Sequence, residues 1–135
     1  METVLDKGRD FSLLFLRLVL AYGFYSPAMN KWADIGAVAT WFGEDLGLPF
    51  PLLNAYMAAS TEMAGVVLLV LGLGVRLISL PLMVVMVVAI TMVHLANGFS
   101  SGNSGFEIPL YYLLMLLTLA THGGGKFGLD YFFKK

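Results

Sequence analysis

Apolar residues in this chain do not alternate with polar ones; they run together in four blocks, residues 11–32, 51–74, 77–96 and 106–122. Leu, Val, Met and Ala dominate these blocks, and none shows the period-two alternation of a barrel strand. With a helical rise of ~1.5 Å per residue, each block can cross a hydrocarbon core of ~30 Å, the last narrowly. The pattern predicts an all-α membrane fold, a single domain over residues 1–135 built as a bundle of four transmembrane helices. Between the first two blocks, Ile35, Val38, Trp41 or Phe42, and Leu46 recur at helical spacing. This predicts a short amphipathic helix in the membrane interface, with Trp32 and Trp41 at headgroup level and Pro49 and Pro51 ending it. Such a segment serves as an anchor or as a lid over one mouth of the bundle.

Flanking charges predict the orientation. Lys7 and Arg9 precede the first block, Arg76 joins the second to the third, and Lys126, Lys134 and Lys135 follow the fourth. The other side carries Lys31 alone, next to Asp34, Glu44 and Asp45, and loop 97–105 has no basic residue. The positive-inside rule then places both termini in the cytoplasm. The N-terminus resembles a secretory signal as far as Ser26-Pro27-Ala28. Arg17 inside the apolar region and the length of the run favour a retained helix instead.

Composition supports the membrane class. Hydrophobic residues make up 59% and charged residues 13%, against roughly a quarter charged in an average soluble domain. A net charge of −1 with no basic cluster leaves nucleic acid out of the expected partners. Cysteine is absent, so thiolate catalysis and iron–sulfur ligation are excluded. The two histidines, His94 and His122, fall at opposite ends of the predicted helices and cannot jointly ligate a haem. Eight methionines invite a Cu(I) site, but their scatter reads better as apolar filling. Glu62, Glu107 and His94 lack the spacing of a metal motif, so no metal site is expected. Gly123-Gly124-Gly125 lacks the Lys–Ser/Thr of a phosphate loop and reads as a helix stop.

The candidate chemistry lies in the charges that interrupt the apolar blocks: Arg17, Glu62 and Glu107. A charge at membrane depth costs about 3 kcal/mol on insertion scales, so it is expected to face the bundle interior beside a partner. Ala55, Ala58, Ala59 and Gly65 surround Glu62 with small residues on one helix face, which lets another backbone approach. Arg17 and Glu62 differ in predicted depth by less than ~10 Å, a gap that predicts a buried interhelical ion pair between them. Lys31, His94, Asn97, Asn103, Glu107 and Tyr111 gather at the opposite end from the termini. They are expected to form an outward-facing polar vestibule with Glu62 at its floor. Architecture alone is an equal reading of the group, since buried ion pairs can specify packing without chemistry.

Phe15-Leu16-Arg17-Leu18, Asn30-Lys31-Trp32, Ser60-Thr61-Glu62-Met63-Ala64-Gly65 and Leu71-Gly72-Leu73-Gly74-Val75-Arg76 follow one another in an order that resembles the DoxX family. Glu107 and the ending Gly123-Gly124-Gly125-Lys126-Phe127-Gly128-Leu129-Asp130 fit as well, with Gly128 where the family usually has Ser. Asn97-Gly98-Phe99, followed by Gly105-Phe106-Glu107-Ile108-Pro109-Leu110-Tyr111-Tyr112, looks most like its HvfX-type branch. That branch is associated with maturation of copper-binding, ribosomally made peptides. The resemblance implies a bacterial inner-membrane protein beside redox or maturation systems, and it supplies no catalytic residue. The expected role is a non-enzymatic accessory that binds protein partners within the lipid bilayer. A quinone-linked oxidoreductase subunit is the first alternative, with Tyr111, Tyr112, His94 and Glu107 around the quinone. A small transporter or exporter working as a homo-oligomer is the second.

Overall fold

A computed structural model describes residues 4–133, with the side chains of Asp6 and Lys7 left aside. Lys134, Lys135 and the Lys7 side chain, which contributed to the orientation argument, lie outside the described residues. The helices are α1 (Val4–Ala33), α2 (Ile35–Thr40), α3 (Pro51–Leu71), α4 (Val75–Ala89), α5 (Glu107–His122) and α6 (Leu129–Phe133). No strand occurs among the described residues. Three stretches are long and apolar enough to cross a membrane: Gly8–Ala33, Pro51–Leu71 and Val75–Asn97. The fourth apolar block forms α5, whose 16 residues extend ~24 Å.

Local chemistry marks the helix boundaries. Pro51 opens α3, where a missing N–H costs nothing. Gly72, at φ 70°, closes α3 in the left-handed conformation, which a side chain would resist. Asp34 caps α2 by accepting a hydrogen bond from the Ala37 amide at 3.1 Å. Beyond Ala89, the α4 helix widens into a π turn over Ile90–His94. A similar turn, Trp41–Asp45, follows α2.

Packing runs in a closed order, with α1 on α3, α3 on α4, α4 on α5 and α5 back on α1. Arg17 contacts Leu69 while Lys31 contacts Glu62, so α1 and α3 run antiparallel. The start of α1, α6 and the 72–74 turn lie at one end, here the terminal end; α2 and loop 97–105 lie at the other, the loop end. The core is built on Leu20, Phe24, Leu69, Val75, Leu82, Leu116 and Leu119. Ala55, Ala59, Glu62 and Gly65 make the buried face of α3, which is the small-residue face expected around the carboxylate.

The buried set inverts the pattern of a soluble protein. Arg17 and Ser79 are fully buried and Glu62 is 2% exposed, whereas Tyr22, Leu77, Val84 and Leu114 are more than half exposed. Apolar side chains outside and charges inside are what lipid contact selects.

Candidate functional site

The buried ion pair joins Glu62 to Lys31, which corrects the expected pairing with Arg17. Lys31 Nζ donates to Glu62 Oε1 at 3.1 Å and lies 3.1 Å from Oε2. Side chains on a helix lean toward that helix's own N-terminus. On antiparallel helices, Arg17 therefore leans toward the terminal end and Glu62 toward the loop end, so the two diverge. Lys31 sits near the C-terminus of α1 and leans back into the molecule, toward the rising Glu62. A comparison of helix depth alone misses this direction. The Trp32 indole secures the same contact by donating to the Ala59 carbonyl at 3.1 Å.

Arg17 has a different role. Nη1 donates to the carbonyls of Leu69 at 2.7 Å and Val70 at 3.3 Å, and Nε donates to Gly124 at 3.2 Å. The Leu69 and Val70 carbonyls belong to the last turn of α3, which has no helical donors left, and a cation there also meets the negative end of the helix dipole. Asp130 holds the neighbouring corner. Its carboxylate accepts the amides of Gly74 at 2.8 Å and Val75 at 3.0 Å, capping α4. The Asp130 amide in turn donates to the Gly72 carbonyl at 2.9 Å. Sequence reasoning missed Asp130 and α6. The available signal was Gly74 immediately before α4, a position with no side chain of its own to cap the helix.

The expected vestibule resolves into two parts. One is a closed clasp in loop 97–105. Glu107 accepts the Ser101 amide at 3.0 Å and the Tyr111 hydroxyl at 3.1 Å. His94 Nδ1 lies 2.7 Å from the Ser104 carbonyl, and the Asn97 amide donates to that same oxygen at 3.1 Å. Asn103 is exposed on the turn. Glu107 and Tyr111 are thus engaged with the loop itself.

The other part is a half-open cavity of about 770 Å³ lined by α1, α3, α4, Tyr112 of α5 and the segment after α2. Lys31 and Glu62 form its polar wall, and His94 and Tyr112 also line it. Trp41, Phe42, Leu46 and Leu48 line the loop-end side. Most of the remaining wall is apolar, with Phe24, Met57, Val84 and Val88. The volume lies within the usual range for small-molecule sites.

The geometry constrains the chemistry of an occupant. With lysine and glutamate paired, the wall carries no net charge. An ammonium has three donors, and the carboxylate engages at most two, which leaves one N–H for a ligand oxygen. In the tautomer whose Nδ1–H meets the Ser104 carbonyl, the His94 imidazole keeps a lone pair on Nε2. The site therefore suits a neutral, largely apolar molecule bearing hydrogen-bond acceptors.

These features define a multi-pass helical membrane protein with an internal polar pair. The chain belongs to the DoxX family, whose profile matches residues 12–95. Two uncharacterized proteins of Haemophilus influenzae are similar along nearly their whole length. One is 33% identical, covering 95% of this chain and 87% of the relative. The second is 35% identical, covering 97% and 98%. The Bacillus subtilis (strain 168) protein named "Putative oxidoreductase CatD" is 30% identical, covering 95% of this chain and 91% of its own. No solved structure gives a significant match.

Proposed function

We propose that this protein is the membrane-embedded component of a redox system, and that its cavity holds a neutral lipophilic carrier of the quinone class. In this reading four helices, α1, α3, α4 and α5, cross a bacterial inner membrane with both termini cytoplasmic, and α2 lies in the opposite interface. Catalytic electron transfer belongs to a partner protein, and this chain presents the carrier to it. The observation that carries the reading is the Lys31–Glu62 pair in the wall of a mainly apolar cavity. A lysine donor can hold a quinone carbonyl, while the adjoining carboxylate and His94 offer places for the protons taken up on reduction. The oxidoreductase name of the Bacillus subtilis relative points the same way.

Trp41 lines the cavity and is one of two tryptophans, which provides a direct assay. Titrating decylubiquinone into the protein in nanodiscs of native lipid is expected to quench tryptophan emission saturably. Glu62→Gln and Lys31→Met should each weaken that binding. Linear quenching, identical in wild type and both variants, would remove the reading.

A second reading rests on the loop sequence Asn97-Gly98-Phe99 and on Gly105-Phe106-Glu107, which resemble the HvfX-type branch. Here the chain is an accessory in maturation of copper-binding, ribosomally made peptides, and loop 97–105 is the docking element. Deleting the gene while retaining the maturation enzymes is then expected to alter the yield or distribution of modified peptide. An unchanged yield and distribution would exclude this role.

A further inference from the structure

At the terminal end, away from the ion-pair cavity, a groove of about 750 Å³ runs between the start of α1, the 72–77 corner and the glycine turn after α5. Arg9, Arg76 and Lys126 line it. Two carboxylates, Asp10 and Asp130, line it too, but both are engaged with backbone. Asp10 accepts the Lys126 amide at 3.1 Å, and Asp130 accepts the Gly74 and Val75 amides. Among the described residues, none of the three groove cations forms an ion pair; the one such pair is Lys31–Glu62 at the other end.

A second, independent feature lies behind the groove. The fully buried Arg17 packs directly against Gly124, where an added Cβ would stand 3.2 Å from Arg17 Cδ and 3.4 Å from Nε. Its Nη2 is buried without a hydrogen-bond partner. A fourth positive charge therefore lies behind Gly124, a residue of the groove lining. Arg76 lies across Gly123, with an added Cβ there meeting its Nε at 3.2 Å. Arg17 is out of a ligand's reach and adds only to the positive potential, while Arg9, Arg76 and Lys126 line the groove where a ligand would sit.

We infer that this groove binds a phosphate-bearing anion, supplied as the headgroup of an anionic phospholipid. Aromatic surroundings favour a lipid over a free phosphate. Phe11 stacks with Phe127 at 5.0 Å between ring centroids, and Phe11, Phe127, Tyr131, Phe132 and Phe133 are all exposed near the groove's end of the molecule. Tyrosine, here Tyr131, belongs at headgroup level, and basic pockets between membrane helices suit phosphate headgroups. The groove thus meets a lipid with cations for the phosphate and rings for the upper acyl region.

The test uses the full chain, purified in detergent, stripped of lipid and examined by native mass spectrometry. Tetraoleoyl cardiolipin, dioleoylphosphatidylglycerol or dioleoylphosphatidylcholine is added back, and inorganic phosphate is offered separately. The expected result is retention of one anionic lipid per chain in preference to phosphatidylcholine. Affinity should fall about fivefold for each cation removed in Lys126→Gln and in the double variant Arg76→Gln/Lys126→Gln. Among the described residues the exposed Lys126 side chain forms no hydrogen bond or ion pair of its own, so its variant keeps the fold and isolates the charge. Equal retention of phosphatidylcholine, or unchanged retention in both variants, would overturn the proposal. Complete displacement of the lipid by millimolar inorganic phosphate would overturn the lipid assignment.

Discussion

Lys31 and Glu62 are held in a two-pronged contact, 3.1 Å from the ammonium to each carboxylate oxygen, with the glutamate side chain 3% exposed and the lysine side chain 20% exposed. The pair joins α1 to α3 on one side and faces the cavity on the other. Desolvation makes each charge costly alone, so removing one partner strands the other. Lys31→Met or Glu62→Leu is expected to destabilise the protein by about 3 kcal/mol, read as a lower melting temperature in detergent. The double variant Lys31→Met/Glu62→Leu should recover most of that loss, because two apolar side chains no longer need each other. A double variant as unstable as the worse single variant would show that the two residues act separately.

Arg17 carries a prediction of a different kind, because its three bonds go to backbone carbonyls on two segments. Lysine keeps the charge but cannot reproduce the planar fork that reaches Leu69 and Gly124 together. Arg17→Lys is therefore expected to cost about 1–3 kcal/mol despite the preserved charge. Arg17→Met should cost more, since it also leaves the last turn of α3 without a donor. Hydrogen exchange around residues 69–74 should rise in both. Unchanged melting of Arg17→Lys would mean that charge alone suffices at this corner.

The same two charges mark what was legible in the sequence. The apolar blocks located α1, α3 and α4, because a helix in lipid must satisfy its backbone internally and declares itself by length and hydropathy, and the fourth block located the shorter α5. Burial of Arg17 and Glu62 followed from the cost of charge in hydrocarbon, and the small face of α3 followed from period. Partner choice did not follow. It depended on the lean of side chains along antiparallel helices, which residue counting leaves out, although Lys31 was already expected in the vestibule above Glu62. The vestibule failed in part for a related reason: residues at one end of a bundle share a depth without sharing a direction, so Glu107 turned to its loop while Lys31 turned to the cavity. Asp130 was hidden because its role is to cap a helix more than fifty residues away in sequence.

Glu107 is expected to behave as a loop-holding residue. Its carboxylate bridges the Ser101 amide and the Tyr111 hydroxyl across loop 97–105. Glu107→Ala should accelerate amide exchange at Ser101 and through the turn to Gly105, with little change in global melting. Glu107→Gln retains one acceptor oxygen and should show a smaller increase. If Glu107→Ala left exchange in the loop unaltered while abolishing quinone quenching, its role would be in the ligand site instead.

Gly23 of α1 faces Tyr112 of α5 at close range, and Tyr112 also lines the cavity. A Cβ on Gly23 would overlap the Tyr112 hydroxyl and would lie 2.6 Å from the ring carbon that bears it. The Tyr112 ring is further braced by Phe24, at 5.5 Å between centroids. It has little room to retreat except into the cavity. Gly23→Ala is thus expected to destabilise by about 1–3 kcal/mol through overpacking. It should also weaken binding of decylubiquinone by driving the ring into the space the ligand needs. Tyr112→Leu removes the colliding end of the side chain, so Gly23→Ala/Tyr112→Leu should be more stable than Gly23→Ala alone. The diagnostic result is this non-additivity, measured by melting of the two single variants and the double. Additive losses would show that Gly23 matters to α1 itself and not through Tyr112.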